Sequence, residues 1–157
     1  MNLTKTQRKA LFDIIPKTFD IGDVEFTATC LYENQFEPGG RAIYPAIILK
    51  YVDSEEIDVL DMGETIFKTA TLNINVYARE IDERATGGSY LNGKLAVDGM
   101  TNDILDALND NYDLLIHYGI ILNERIKGVK VRDLSTIATV KHVYRNYFQI
   151  ELLYEVN

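Results

Sequence analysis

The longest unbroken alternation of apolar and polar residues in the chain runs from Thr69 to Arg79, and it constrains the fold more than any other feature. Ala70, Leu72, Ile74, Val76 and Ala78 fall on one parity, and Thr69, Thr71, Asn73, Asn75, Tyr77 and Arg79 on the other. Successive side chains of an extended chain point to opposite faces, so the pattern predicts a strand with one buried and one polar face. A helical turn would scatter the same apolar set around its circumference. A chain built on such a strand must supply further strands to pair with it and an apolar layer to cover its inner face.

Those partners are visible on either side. Residues 43–52 are apolar on both parities, with Ile43, Ile47, Leu49 and Tyr51 on one and Tyr44, Ala46, Ile48 and Val52 on the other. This predicts a central strand covered on both faces, with Pro45 near its start, where a missing backbone donor is tolerated. Val24, Phe26, Ala28, Cys30 and Tyr32 alternate with Glu25, Thr27 and Thr29 and predict one further half-buried strand. Near the end, Tyr144, Phe148, Ile150, Leu152, Tyr154 and Val156 alternate with Arg145, Tyr147, Gln149, Glu151 and Glu155. Ile120–Leu122 and Gly128–Val131 read as short strands separated by the polar run Asn123, Glu124 and Arg125.

Two segments keep helical spacing instead. Leu3, Ala10, Leu11, Ile14 and Ile15 surround polar Lys5, Gln7, Arg8 and Lys9, which predicts a short amphipathic helix stopped by Pro16. Val97, Met100, Ile104, Leu108, Tyr112 and Leu115 form one stripe, with Asp98, Asn102, Asp103 and Asp106 off it, and predict a long helix ended at Gly119. Ser89 is placed to cap that helix, after a flexible connection from Arg84 that contains Gly87-Gly88. Glu37-Pro38-Gly39-Gly40 marks another turn or loop. The order predicts an α+β fold: a mostly antiparallel mixed sheet flanked by an N-terminal helix and one long central helix. A length of 157 residues predicts a single domain over 1–157.

Composition narrows the function. The formal net charge is −8, with no Lys/Arg cluster. Binding that depends on neutralising several phosphates is therefore disfavoured, whereas an acidic surface suits a basic partner or a conduit along which DNA slides without sticking. Cys30 is the only cysteine, so no internal disulfide is expected and a reducing compartment fits. No apolar run reaches the length of a membrane span, and the first nine residues lack the apolar core of a secretory signal.

Catalytic chemistry finds no constellation. His117 and His142 lie in unrelated contexts, the first near a helix end, and neither has metal-ligand spacing around it. Ser54, Ser89 and Ser135 lack a nucleophile elbow, and Cys30 falls on the apolar parity of its strand, where a thiol is ordinarily inert packing. The acidic run with Asp53, Glu55, Glu56, Asp58 and Asp61 does not match a calcium loop. Gly87-Gly88 with Lys94 is too short to define a phosphate cradle. No catalytic, cofactor-binding or metal-ligating residue is therefore expected. The competing reading is a small-ligand-binding or enzymatic domain using the 53–61 segment with Tyr44, Tyr51 or His117.

The arrangement of these elements resembles the tail terminator, or tail completion, proteins of long-tailed bacteriophages and related archaeal viruses. The likeness is carried by the N-terminal helix, by Ile43-Tyr44-Pro45-Ala46-Ile47 leading into a strand, and by Thr71-Leu72-Asn73-Ile74-Asn75-Val76-Tyr77-Ala78. The helix from Ala96 to Leu108 and the ending His142-Val143-Tyr144-Arg145-Asn146-Tyr147-Phe148-Gln149-Ile150 complete it. The resemblance implies a homo-oligomer, usually a sixfold ring, that caps the tail tube, stops its polymerisation and offers a face to the head connector. Its partners would be the tube protein and a connector or adaptor, with DNA passing the lumen without specific binding. It would assemble in the host cytoplasm and reside at the head–tail junction of the virion. Another neck or head–tail adaptor protein is the nearest alternative. Heterologous contacts in a ring need two unlike faces. The candidates are Asp53, Glu55, Glu56, Asp58 and Asp61 in one loop, Thr71, Asn73, Asn75, Tyr77 and Arg79 along the alternating strand, and Asp82 and Arg84 in the second loop.

Overall fold

The computed structural model describes the backbone of residues 5–33, 43–53, 66–133 and 143–156, and the side chains of 5–33, 43–52, 70–120 and 143–154. Helix α1 (Lys5–Ile14) buries Gln7, Ala10 and Leu11, and Gln7 Nε2 donates to the Tyr118 carbonyl at 3.2 Å. Strands β1 (Thr18–Ile21) and β2 (Val24–Thr27) form an antiparallel hairpin that the sequence reading did not include. Its loop is Gly22-Asp23, with φ of 57° and 63°. Both central residues of such a two-residue turn must be left-handed, a conformation glycine adopts without penalty and Asp tolerates.

The strand expected across 24–32 is therefore two strands. The chain breaks at Ala28, whose amide donates to the Lys17 carbonyl at 2.7 Å, and β3 (Thr29–Tyr32) leaves the hairpin to join the main sheet. Strand β4 (Ala46–Asp53) begins directly after the cis Tyr44–Pro45 bond. It is buried on both faces from Ala46 to Leu49, as its apolar run implied, whereas Ile43 lies outside it and is 71% exposed.

Strand β5 (Ile66–Ala78) contains the founding alternation, and Ala70, Leu72, Ile74, Val76 and Ala78 are each fully buried. The segment after it is not a flexible connection. Strands β6 (Ile81–Asp82) and β7 (Tyr90–Leu91) pair as a small ribbon closed by a 3-10 turn at Arg84–Thr86. Ser89 is occupied there, its carbonyl accepting from the Glu83 amide at 3.1 Å. The helix cap is Asn92, whose side chain accepts from the Lys94 amide at 2.8 Å. One helix was expected where there are two, α2 (Gly93–Asp110) and α3 (Tyr112–His117), divided at Asn111. The break turns Tyr112 out to 39% exposure while Val97, Met100, Ile104, Leu108 and Leu115 stay in the core.

The two short strands expected after Gly119 are one, β8 (Ile120–Asp133), with register shifts between Leu122 and Ile126 and between Lys127 and Lys130. Strand β9 (Tyr144–Val156) closes the sheet, whose order is β3-β4-β5-β9-β8. The β3–β4 pair is parallel and the other three pairs are antiparallel. The fold is thus α+β with a mostly antiparallel mixed sheet. Helices and hairpin share one side of it, where Leu11, Ile15, Phe19, Val24, Met100, Ile104 and Leu115 pack with Ile47, Leu49, Leu72, Ile74, Phe148, Ile150 and Tyr154 in one cluster. Such a cluster holds most of the stabilising apolar burial.

Candidate functional site

The same alternation that sends apolar residues into the core sends a polar set to the far side of the sheet. Thr71, Asn73, Asn75 and Tyr77 of β5 are all half-buried there. Register places them opposite Glu151, Gln149, Tyr147 and Arg145 of β9, and opposite Val52, Lys50, Ile48 and Ala46 of β4. Directly paired residues share a face, so two adjacent central strands present amides, tyrosines and one arginine as a continuous surface.

The side chains of this face hold one another. Arg145 Nε donates to Asn75 Oδ1 at 2.7 Å, and its guanidinium lies 5.3 Å from the Tyr147 ring centroid and 6.0 Å from that of Tyr77. A planar cation over aromatic faces keeps its charge while losing rotamer freedom, so it is aimed before any partner arrives. Gln149 Nε2 donates to the Tyr147 hydroxyl. At one end Tyr44 and Tyr77 pack on buried Val143, and Arg79 lies 4.9 Å over the Tyr44 ring. At the other, Lys50 bridges to Glu33 at 3.1 Å. Burial and the loss of hydration raise the Tyr77 phenol above its ordinary range, so it stays neutral. Asn73 Oδ1 is buried with no partner among the described residues.

The structure thus brings Thr71, Asn73, Asn75, Tyr77 and Arg79 together. Asp53 is the last residue of β4, opposite Ala70, while Glu55, Glu56, Asp58 and Asp61 lie outside the described residues. Asp82 and Arg84 form a separate, exposed clip on the β6–β7 ribbon. Arg84 donates to both carboxylate oxygens of Asp82, at 2.8 and 2.7 Å, and stacks 4.8 Å over Tyr90. The side-chain and backbone bonds from Arg84 hold the Asp82 carboxyl down at about 2. Arg145, Tyr147 and Gln149 belong to the face as fully as the β5 residues, and the alternation of the last strand was the signal that marks them.

Of the groups in the small-ligand reading, Tyr44, Tyr51 and His117 lie apart from one another, and residues 54–61 of its acidic loop lie outside the described residues. Tyr44 lies beyond the start of β4 on the polar side. Tyr51 lies near the strand's other end, beneath Tyr32 and Arg8, and His117 is exposed at the end of α3 against Tyr118. His142 lies outside the described residues. Burial pushes the Cys30 thiol up to about 11, which keeps it protonated and weakly nucleophilic near neutral pH. Among the described residues no three His, Cys, Asp or Glu side chains gather as metal ligands, and no helix is long and apolar enough to cross a membrane.

Fold and site together define a two-layer α+β architecture with one apolar-facing helix layer and a polar sheet face that no described helix covers. No protein-family model matches the sequence, and no curated protein matches it.

Proposed function

We propose that the chain is a structural virion protein of the tail terminator kind. In this reading, copies close into a ring, sixfold in the usual case, on the end of the tail tube. The ring stops tube growth and joins the tail to the head connector, and DNA passes through the lumen without specific contacts. The observation that carries the reading is the open sheet face with its fixed Arg145, Tyr147, Gln149, Asn75 and Tyr77. Tyrosine and arginine anchored by neighbours, with few free carboxylates or lysines, is the composition of a protein contact surface. The element order that suggested the resemblance is a second support. Immunogold labelling of assembled particles should place the protein at the head–tail junction, and labelling confined to any other location would refute the role. Deleting the gene should give overlong tails; tails of normal length without heads would instead identify a connector adaptor.

A further inference from the structure

The outward stripe of α2 and the open face of the sheet carry opposite charge, and we infer that the stripe of one copy docks across the sheet face of a second copy. The inference rests on the assembly role proposed above and deepens it by naming the two unlike surfaces that a head-to-tail contact requires. Along α2, Leu95, Asn102, Asp103, Asp106, Asn109 and Asp110 are all exposed. They recur at steps of three, four and seven, so they line one side of the helix. None of the three carboxylates is in an ion pair among the described residues. Burial and repulsion from Asp106 raise the Asp103 carboxyl above its ordinary value. The stripe therefore holds crowded like charges that a cationic surface would relieve.

The sheet face supplies that surface. Arg145 and Arg79 have no carboxylate partner among the described residues, and both are propped on tyrosine rings. On the neighbouring strand, Lys127, Lys130 and Arg132 stand in register with Gln149, Tyr147 and Arg145. The face's acidic residue, Glu151, lies opposite Thr71, whereas Arg145 and Arg79 gather at the Tyr77 end. That end of the face is therefore cationic in a chain whose net charge is −8. The dimensions agree: Asp103 to Asp110 spans about 11 Å of helix, and Arg145 to Gln149 about 14 Å of strand. A helix laid on this face would give the sheet a second covering layer like the one it has on the core side. A second copy fits better than a nucleic acid, because the overall negative charge repels phosphate at long range while α2 provides acid matched to the face.

Reciprocal charge reversal tests the contact. Asp103→Lys with Asp106→Lys reverses the stripe. Arg145→Glu reverses the sheet face, and the exposed Arg79→Glu does so without disturbing the Asn75 bond. Sedimentation velocity at about 100 µM protein and about 50 mM salt should show assemblies of the wild type that dissociate as salt rises. Each variant alone should lose at least roughly tenfold in apparent association constant. Mixing a stripe variant with a face variant should restore assembly, since each copy keeps one native surface and the two reversed surfaces match each other. A strictly monomeric wild type, or variants that assemble as well as wild type, would overturn the inference. So would a fluorescent single-stranded DNA that binds the wild type and is lost on Arg79→Glu, which would reassign the face to a polyanion. Tail length in the gene deletion reports on the terminator role separately: normal tails alongside intact mixing rescue would sink that role and leave the contact standing.

Discussion

Replacing Asn146 should expose how firmly the helix layer is keyed to the sheet. Asn146 is 1% exposed on the core side of β9, where its parity calls for an apolar residue. Its Nδ2 donates to Asp98 Oδ1 at 2.9 Å and to Thr101 Oγ1 at 3.0 Å, both on α2. Thr101 in turn donates to the Val97 carbonyl at 2.7 Å. A bond to a carboxylate contributes about 1.5–3 kcal/mol, and half-burial of Asp98 favours the lower end, while the bond to a hydroxyl contributes about 1 kcal/mol. Truncation to alanine also leaves a void worth about 1 kcal/mol in lost contacts. Against these, Asn146 Oδ1 has no partner among the described residues, so removing it returns roughly 1 kcal/mol of desolvation cost. Asn146→Ala should therefore lower stability by about 2–3 kcal/mol, or roughly 5–10 °C in Tm for a chain of this size. Urea denaturation followed by circular dichroism should show a lower midpoint with an unchanged slope. Asn146→Asp preserves the shape but turns a donor into a carboxylate facing Asp98, and at neutral pH it should cost more than alanine. A loss below about 1 kcal/mol for alanine, or an aspartate variant as stable as wild type, would refute the reasoning.

Two further outcomes follow from the packing. A β-carbon added at Gly93 would lie 2.8 Å from Tyr144 Cδ2, 3.0 Å from the Arg79 carbonyl carbon and 3.1 Å from the Glu80 amide nitrogen. Gly93→Ala should thus destabilise by about 1–3 kcal/mol in thermal melts despite alanine's better helix propensity, because backbone has to move. At Cys30 the folded thiol is raised from 9.0 to about 11 by burial. Iodoacetamide at pH 8 should modify it roughly a hundredfold more slowly than a free thiol. The stability contributed by the neutral thiol is complete below the unfolded value and lost as pH rises from there to about 11. Cys30→Ala should flatten part of the alkaline decline in Tm.

Much of this architecture was legible because alternation over many residues is hard to imitate. The inner face of β5 and the apolar positions from Phe148 to Tyr154 follow from spacing alone, and so does the side of the sheet on which Thr71, Asn73, Asn75 and Tyr77 lie. What escaped was local. The Gly22-Asp23 hairpin carried a recognisable signal, two turn residues between Phe19-Asp20-Ile21 and Val24-Glu25-Phe26, but the continuing alternation to Tyr32 masked the break at Ala28. The α2–α3 division escaped because Tyr112 and Leu115 keep the helical step across Asn111 even though the backbone does not. Ser89 and Asn92 are both good caps, and only the pairing of β6 with β7 decides between them. Asn146 escaped for a different reason: a polar residue on a buried face is defined by the partners it meets on α2, 48 and 45 positions away in sequence. Arg145 is similar, since its hold on Asn75 spans 70 positions.

The interrupted register of β8 bears on what else the molecule will stick to. As the last strand of the sheet, it leaves a rim of amides and carbonyls with no bonded neighbour among the described strands. Regular rims of that kind recruit any extended peptide and seed fibrils. Here the ladder to β9 is cut into three short runs, at Ile120–Leu122, Ile126–Lys127 and Lys130–Asp133. Irregularities of this sort bend and twist a strand locally, so a straight intruder can match only a few positions before losing step. This edge of the sheet is thereby kept from indiscriminate joining when copies of the chain are crowded together.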